Sequence, residues 1–485
     1  MTTRSRFLWS FTLLLIAAAA LRIIRINEQG FWFDELFSVY FARFDLALMY
    51  KGIALEGTKL PLYYTLIHYL LPSTHVELIL RLLSAAFGLL CIPVTFVVVR
   101  TLLNESIAWW AAVLLTIDPF HVHYSREARP YTLMLLAALV AMLAFANLVR
   151  RSDRRWWPVL IAAHMALFIT NLFALFIPLV QFLYLIFNLK RAGRLLIMWI
   201  VSNAIAIIPL VVWYAYMFVA REGQLRLAAS WFPLTTPADL LYSFWNFTLG
   251  YLPVLTPTIA MMLLILICLA LLGIRYGSQF PRHRFSLFLC WLTPVLLVWF
   301  IGLRRPLYGD RYLIVVLPAL LTLIAAGILS LGSLPLRRAV QALVVIAMLW
   351  GTWQIYDNPE NRREEWREAA QLIEANQQPN DAIFTSELNA AISLAFYYHG
   401  DVPIHPASDL PDGGIPEEIG STRPYRFWLV IGYAEFSPHR LGQPYRLDWD
   451  ANRTSIEKQF KIPPTATILR VQPFAGISVI EYEVK

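Results

Sequence analysis

Eleven apolar stretches, each near the length of a membrane-spanning helix, recur along this 485-residue chain. They lie at roughly 7–24, 77–99, 106–124, 130–149, 156–171, 173–189, 195–219, 254–274, 285–303, 312–331 and 337–356. A hydrocarbon core takes about 20 apolar residues per helix. It offers no water to backbone N–H and C=O groups, so such runs fold as helices that satisfy their own backbone. The segments 156–171 and 173–189 are short and parted only near Thr170-Asn171, which reads as a tight hairpin or as one unit. Composition agrees: 58% of residues are hydrophobic, against about 45–50% in soluble proteins, and mean hydropathy is +0.57.

Charge sets sidedness. With the N-terminus inside, the inner loops hold Arg4 and Arg6, Arg100, then Arg150, Arg151, Arg154 and Arg155. Lys190, Arg191 and Arg194 follow, then Arg275, Arg282 and Arg284, then Arg337 and Arg338. These loops are nearly free of acid, as basic cytoplasmic loops should be. The formal charge of +8, from 40 Lys+Arg against 32 Asp+Glu, therefore reflects topology and not a nucleic-acid footprint. The first apolar run has no small-residue cleavage site and carries Arg22 and Arg25 at its far end, so it reads as a retained helix. Cys91, Cys268 and Cys290 lie within apolar runs and offer neither a disulfide framework nor metal-ligand spacing. They read as small buried hydrophobes.

An odd helix count places residues 357–485 outside, and there the composition changes. Asn358-Pro359-Glu360-Asn361-Arg362-Arg363-Glu364-Glu365 leads into a helical stretch near 364–376. Short β-like runs such as Phe427–Ile431 and Ile477–Ile480 follow, parted by Pro and Gly. The expected organisation is a transmembrane module over 1–356, with an interfacial outer loop at 25–76, and a small soluble α/β domain over 357–485.

The outer side carries its own arginines: Arg25, Arg126, Arg129, Arg221, Arg226, Arg304, Arg305 and Arg311. Solvation accounts for Arg221 and Arg226. Arg126 and Arg129 sit in Asp118–Tyr131, between two spans with little room for a loop, and Arg304, Arg305 and Arg311 bracket another short turn. Arginine presents a planar fork that suits phosphate. Asp34 and Glu35 lie among aromatics just after the first span, where a carboxylate is costly unless solvated, paired or used. Residues 45–56 and 60–71 are too short to span comfortably and read as interfacial or re-entrant, with Tyr63, Tyr64 and Tyr69 at headgroup depth. His68 has no neighbouring histidine to make a metal pair. Arginines and carboxylates at one interface fit a lipid-phosphate substrate.

These residues carry a resemblance. Asp34-Glu35, Leu60-Pro61-Leu62-Tyr63-Tyr64 and Tyr124–Tyr131, in this order, resemble bacterial membrane glycosyltransferases of the protein O-mannosyltransferase-like family. So do Asp310-Arg311-Tyr312-Leu313, Leu317–Leu320 and Glu365–Ala370 leading to Pro379-Asn380-Asp381. This is glycosyltransferase family 39 of the GT-C superfamily, related to lipid A aminoarabinose transferases. The resemblance implies an α-helical polytopic membrane protein of GT-C type, with about 11 transmembrane helices and a small C-terminal α/β domain. It also implies a polyprenyl-phosphate-linked sugar donor, transfer on the outer face of the inner (plasma) membrane, and inversion at the anomeric carbon. Asp34 is then the candidate base, with Glu35 its neighbour in the catalytic site. Two departures stand out: Lys59-Leu60-Pro61 replaces the family's frequent His-Pro-Pro, and Arg126 stands where Gln is common.

The chemistry is consistent with that reading. An inverting transfer needs one carboxylate to take the acceptor proton. A departing lipid phosphate needs fixed cations in a water-poor cleft. Arg129 and Arg311 are the expected phosphate clamps, with Arg126 and Arg304 as further donor-side cations. Glu127, Tyr124, Tyr63 and Tyr64 are the expected substrate-binding residues. No cofactor is called for, and a divalent metal is compatible but not indicated. The partners expected are membrane lipid, the glycolipid donor, and an acceptor on protein, lipid or cell-envelope glycan, with no nucleic acid. Two other classes stay open: a glycolipid flippase or transporter, and an oligosaccharyl-type glycan ligase. A membrane scaffold with a sensory or binding tail would leave the interfacial charges without a use.

Overall fold

The computed structural model describes residues 3–72, 74–223, 234–252, 254–281, 285, 288–289, 291–358, 361–410, 425–432 and 449–484. Arg226, Arg282, Arg284, Cys290, Pro359 and Glu360, named above, lie outside the described residues. The chain divides into two compact units, one of Met1–Ile26 and Phe41–Tyr356, the other of Asn27–Tyr40 and Asp357–Lys485. Residues 27–40, grouped with the transmembrane module on sequence, thus cluster with the C-terminal region.

The first unit is helical. Among the described residues seven helices are long and apolar enough to cross a membrane: Ser5–Ile23, Val76–Leu102, Tyr131–Arg151, Gly193–Ala220, Pro257–Gly277, Asp310–Ser330 and Leu334–Asp357. The other four expected segments are occupied by shorter apolar helices, Glu105–Ile117, Trp156–Phe168, Leu172–Phe187 and Thr293–Gly302. The protein is a multi-pass membrane protein. Asp310–Ser330 is the most enclosed of the seven long helices and Ser5–Ile23 the least. Helix Pro257–Gly277 packs on Leu317–Ser330 through glycine. A Cβ at Gly273 would lie 2.0 Å from the Leu323 carbonyl oxygen, and one at Gly327 1.9 Å from that of Leu269. Close backbone approach of this kind is how small residues hold membrane helices together.

One expected span is corrected. Residues 106–124 are not a single helix: Glu105–Ile117 ends at Asp118, and Pro119–Ser125 begins a separate short one. Pro119 pushes Asp118 out of the helical region, to ψ 121°. The Asp118 side chain then accepts the His121 N–H at 2.8 Å and caps the new helix. The segments 156–171 and 173–189 resolve as Trp156–Phe168, a 3₁₀ turn Leu172–Leu175 and Phe176–Phe187, with Asn171 capping the Phe173 N–H at 2.9 Å. Residues 45–56 and 60–71 form the short helices Leu46–Glu56 and Pro61–Leu70.

The second unit is built on a five-stranded sheet. Its strands are β1 (Ala382–Thr385), β2 (Ile404–Pro406), β3 (Tyr425–Gly432), β4 (Ala466–Phe474) and β5 (Ile477–Val484), in the order β2-β1-β3-β5-β4. β1 runs parallel to β2 and β3, and β5 antiparallel to β3 and β4. β3 and β5 are buried along nearly their whole length on both faces. The two β-like runs read from the sequence are the cores of these two strands. Helix Trp366–Asn376 buries Trp366, Ala369, Ala370 and Ile373, and Ile456 and Phe460 join Phe427, Leu429 and Ile480 in the core.

Candidate functional site

The kink at Asp118 matters because it places a polar segment inside the helical unit. Helix Pro119–Ser125 carries His123 and Tyr124, and the turn that follows carries Arg126, Glu127 and Arg129 before Tyr131 opens the next long helix. Tyr124, Glu127, Arg129 and Tyr131 are all buried. The Tyr124 and Tyr251 hydroxyls meet at 2.5 Å, and Tyr251 donates to Asp310 Oδ1 at 3.1 Å. The Asn246 amide donates to Asp310 Oδ2 at 2.6 Å, and the Arg311 backbone N–H to Oδ1 at 2.7 Å. A buried carboxylate is tolerated when its oxygens are satisfied in this way. Asp310 fixes the backbone from which Arg311 projects.

Two arginines converge on one aromatic pair. Arg129 lies over the Tyr131 ring at 5.9 Å and Arg311 over the Tyr312 ring at 5.3 Å, while Tyr131 and Tyr312 are 6.2 Å apart. Tyr124 packs edge-on to Tyr131 at 5.0 Å, and Tyr312 stacks on Phe173 at 4.6 Å. Glu127 sits 3.9 Å from His123. The fold therefore brings together Tyr124, Glu127, Arg129 and Arg311 of the expected site. Asn246, Tyr251 and the Asp310 carboxylate were missed. The meaning of Asn246 and Tyr251 lies in bonds to Asp310, distant in the sequence, which no local pattern marks.

The remaining candidates in this unit make the following contacts. Arg126 donates to the carbonyls of Arg22 at 3.4 Å, Ile24 at 2.5 Å and Arg25 at 3.1 Å, and lies 4.6 Å over the Tyr356 ring. It closes the C-terminal end of helix Thr3–Ile23, where a cation also suits the helix dipole. Buried Arg22 joins this end to the kinked segment, through Thr116 and Leu115 carbonyls at 3.2 and 3.4 Å and His121 Nδ1 at 2.7 Å. Arg304 is exposed in the turn after helix Thr293–Gly302. Tyr63 and Tyr64 are buried within the unit, with Tyr64 edge-on to Phe41 at 6.4 Å, whereas Tyr69 is 70% exposed. His68 Nδ1 is 2.9 Å from the Ala42 carbonyl. Arg221 lies against Gly57, whose φ of +76° suits glycine and where an added Cβ would fall 2.1 Å from the guanidinium.

Asp34 and Glu35 belong to the second unit, and they differ. They open helix Phe33–Ala42. Glu35 is fully buried: its carboxylate accepts the Trp32 N–H at 3.4 Å and lies 4.0 Å from Arg363. That reach back to the residue before the helix is the acidic half of a capping box. Asp34 is half-buried one position earlier. Glu364 stands beside them, accepting the Phe33 N–H at 2.8 Å and the Trp366 indole N–H at 2.7 Å. Glu364 keeps some exposed surface, but its carboxylate is enclosed by these donors. Burial pushes its pKa up to about 7, the two donors oppose the rise, and the charges of Asp34 and Glu387 add to it. Among the described residues no three His, Cys, Asp or Glu side chains are grouped to hold a metal.

This is the GT-C fold of membrane glycosyltransferases, joined to a small C-terminal sheet domain. A family described as dolichyl-phosphate-mannose-protein mannosyltransferase matches residues 61–216. The chain is similar to ArnT from Cupriavidus metallidurans bound to undecaprenyl phosphate, with 14% identity, a TM-score of 0.63, and 97% of this chain and 98% of that chain covered. Its apo form gives 12% identity, a TM-score of 0.65 and 98% coverage of both chains. Archaeal oligosaccharyltransferase AglB from Archaeoglobus fulgidus, in complex with an inhibitory peptide and a dolichol-phosphate, is similar over 84% of this chain and 65% of that one. There the identity is 13% and the TM-score 0.51. None of the curated proteins matches the sequence.

Proposed function

We propose that the protein is an inverting glycosyltransferase that moves a sugar from a polyprenyl-phosphate donor to an acceptor hydroxyl on the outer face of the inner membrane. The observation that carries this reading is the convergence of Arg129 and Arg311 on the Tyr131–Tyr312 pair. Two buried or half-buried guanidiniums beside one aromatic pair in an apolar helical unit suit an anionic ligand, and a lipid phosphate reaches them from the bilayer. The neighbour with undecaprenyl phosphate bound supports that ligand chemistry.

In the proposed step Asp34 takes the proton of the acceptor hydroxyl. The acceptor oxygen attacks the anomeric carbon from the face opposite the leaving group. The bond between that carbon and the phosphate oxygen breaks with its electron pair, and polyprenyl phosphate departs. Phosphate carries this charge well, so no general acid is required; Arg129 and Arg311 stabilise it as it develops. Asp34, half-buried at the second position of helix Phe33–Ala42, is the carboxylate assigned as the base. Glu127 and Tyr124 line the donor side. The N-terminus is cytoplasmic and the C-terminal domain extracytoplasmic in this scheme. Accordingly, Asn380→Cys, in a background without the native cysteines, should label from outside intact cells.

Purified protein is offered synthetic polyprenyl-phospho-sugars carrying mannose, glucose, aminoarabinose or another pentose, with peptide, lipid and glycan hydroxyl acceptors. Acceptor-dependent release of polyprenyl phosphate, with inverted anomeric configuration in the product, is expected. Passage of intact glycolipid across vesicles without release would instead establish a flippase. The likeness to AglB favours one second reading, an oligosaccharyl-type ligase. Turnover only of lipids bearing a whole glycan would select it.

A further inference from the structure

The C-terminal region places one of its own side chains at the start of the helix that bears Asp34. We infer that Glu364 is a positioning residue for Asp34, fixing the first turn of helix Phe33–Ala42 through the Phe33 N–H. This deepens the glycosyltransferase reading and rests on Asp34 being its base.

Four observations within the second unit carry it. The Glu364 carboxylate oxygen accepts from both the Phe33 backbone, at 2.8 Å, and the Trp366 indole, at 2.7 Å. Phe33 immediately precedes Asp34, and its N–H is one of the first-turn donors that a helix cannot satisfy internally. The residues before it are held by the same region: the Phe31 N–H donates to the Tyr397 hydroxyl at 2.6 Å, and Arg363 lies 5.3 Å over the Trp32 ring. Glu364 is itself anchored, because its neighbour Glu365 makes a reciprocal pair with Ala475 in the β4–β5 turn. The Glu365 N–H donates to the Ala475 carbonyl at 3.1 Å and the Ala475 N–H to the Glu365 carboxylate at 3.0 Å.

A route of defined bonds thus runs from the sheet to the backbone of Asp34. A base must meet its proton at hydrogen-bond distance, and a displacement of about 1 Å costs on the order of 10²-fold in rate. The C-terminal region is by this inference part of the catalytic apparatus.

The test separates reach from charge. Glu364→Gln keeps an acceptor oxygen at the same reach without the charge, whereas Glu364→Asp keeps the charge but withdraws it by one methylene. Full-length protein carrying each substitution, alongside Asp34→Asn, is assayed for polyprenyl phosphate release from the synthetic phospho-sugar turned over above. Binding of undecaprenyl phosphate and hydrogen exchange at residues 31–36 are measured in parallel. Glu364→Gln should keep kcat within about threefold, whereas Glu364→Asp should lose roughly 10–100-fold in kcat. In the latter the Phe33 amide should exchange faster, with donor KM and undecaprenyl phosphate affinity unchanged. The reverse order, with Asp active and Gln inactive, or wild-type exchange and kcat in Glu364→Asp, would overturn the inference. If Asp34→Asn turns over at the wild-type rate, the base assignment fails. Phe33 exchange then reports independently on whether Glu364 holds this turn.

Discussion

In the helical unit the hydrogen bonds described for the Arg22, Arg126 and Asp310 side chains go to neutral groups: main-chain carbonyls, His121, Asn246, Tyr251 and a backbone N–H. In the C-terminal unit Arg426 is held by opposite charges, Asp381 at 2.9 Å and Glu481 at 2.7 Å, with the Trp428 indole donating to the same Asp381. The fields of the two arrangements differ. Carbonyls and hydroxyls meet a guanidinium's geometry without cancelling its charge, whereas two carboxylates cancel it. In a medium of low dielectric an arginine stabilised by neutral partners still attracts an anion strongly. The helical unit is therefore the place to look for phosphate-binding cations. The C-terminal ion network is a structural fastening, whose burial trades desolvation against attraction.

The largest effect expected concerns the carboxylate pair. Asp34→Asn keeps size and removes basicity, so turnover should fall roughly 10²–10⁴-fold, the span typical of a lost general base. Undecaprenyl phosphate should bind as before. Glu35→Gln keeps the capping acceptor and should retain most of the rate. Wild-type turnover in Asp34→Asn would move the search for the base elsewhere.

Next comes the pH response of the second unit. Burial is the chief cause that pushes the Glu364 carboxyl up from its ordinary 4.5 to about 7 in the folded protein. The folded state holds the proton more tightly, so this stabilisation is full below about pH 4.5 and is lost as pH rises through 7. The charges facing the group are Asp34 and Glu387, with the Trp366 and Phe33 donors opposing them. Allowing for solvent screening, the loss is on the order of 2 kcal/mol. Thermal melts between pH 4.5 and 7.5 should show wild type losing stability relative to Glu364→Gln. Parallel curves would mean that the carboxylate is ionised throughout.

Much of this architecture was legible in the sequence, and the reasons for the rest are physical. The long apolar runs and the strands β3 and β5 announce themselves because periodicity and composition are local. The break at Asp118 was also local, in Asp-Pro, but it was masked by the unbroken hydrophobicity around it. Asp34 and Glu35 were read together because adjacent acids look alike in sequence. What sequence cannot show is that Glu35 caps the Trp32 N–H and lies near Arg363, far along the chain. Tyr251 and Asn246 gave no usable sign, since their meaning is a shared bond to Asp310 on another helix. Pairings of that range are fixed by packing, which no window along the chain samples.

The comparison sharpens further with Arg129 and Arg311. If they hold phosphate through the planar fork, Arg129→Lys and Arg311→Lys should each weaken undecaprenyl phosphate binding about tenfold, because lysine keeps the charge but not the paired bonds. Isothermal titration or a fluorescent-lipid displacement assay in detergent checks this. An equal loss in Arg426→Lys would mean that the helical unit has no privileged anion site.

The smallest effect belongs to Arg126, and it isolates what separates a structural cation from a binding one. Three carbonyls at the end of helix Thr3–Ile23 and the Tyr356 ring already take up its guanidinium. Gln, the residue common at this position in the resembled family, would retain one or two donors and lose the charge. Arg126→Gln should therefore lower stability by about 1 kcal/mol, the net worth of a hydrogen bond and a helix-end cation, and leave undecaprenyl phosphate affinity as it was. Melting in detergent and the same lipid titration read both quantities from one preparation. A tenfold loss of lipid affinity with unchanged melting would put Arg126 beside Arg129 in the phosphate site. In that event the carbonyl contacts would serve to aim the guanidinium, and neutral partnership would mark a binding cation even at a helix end.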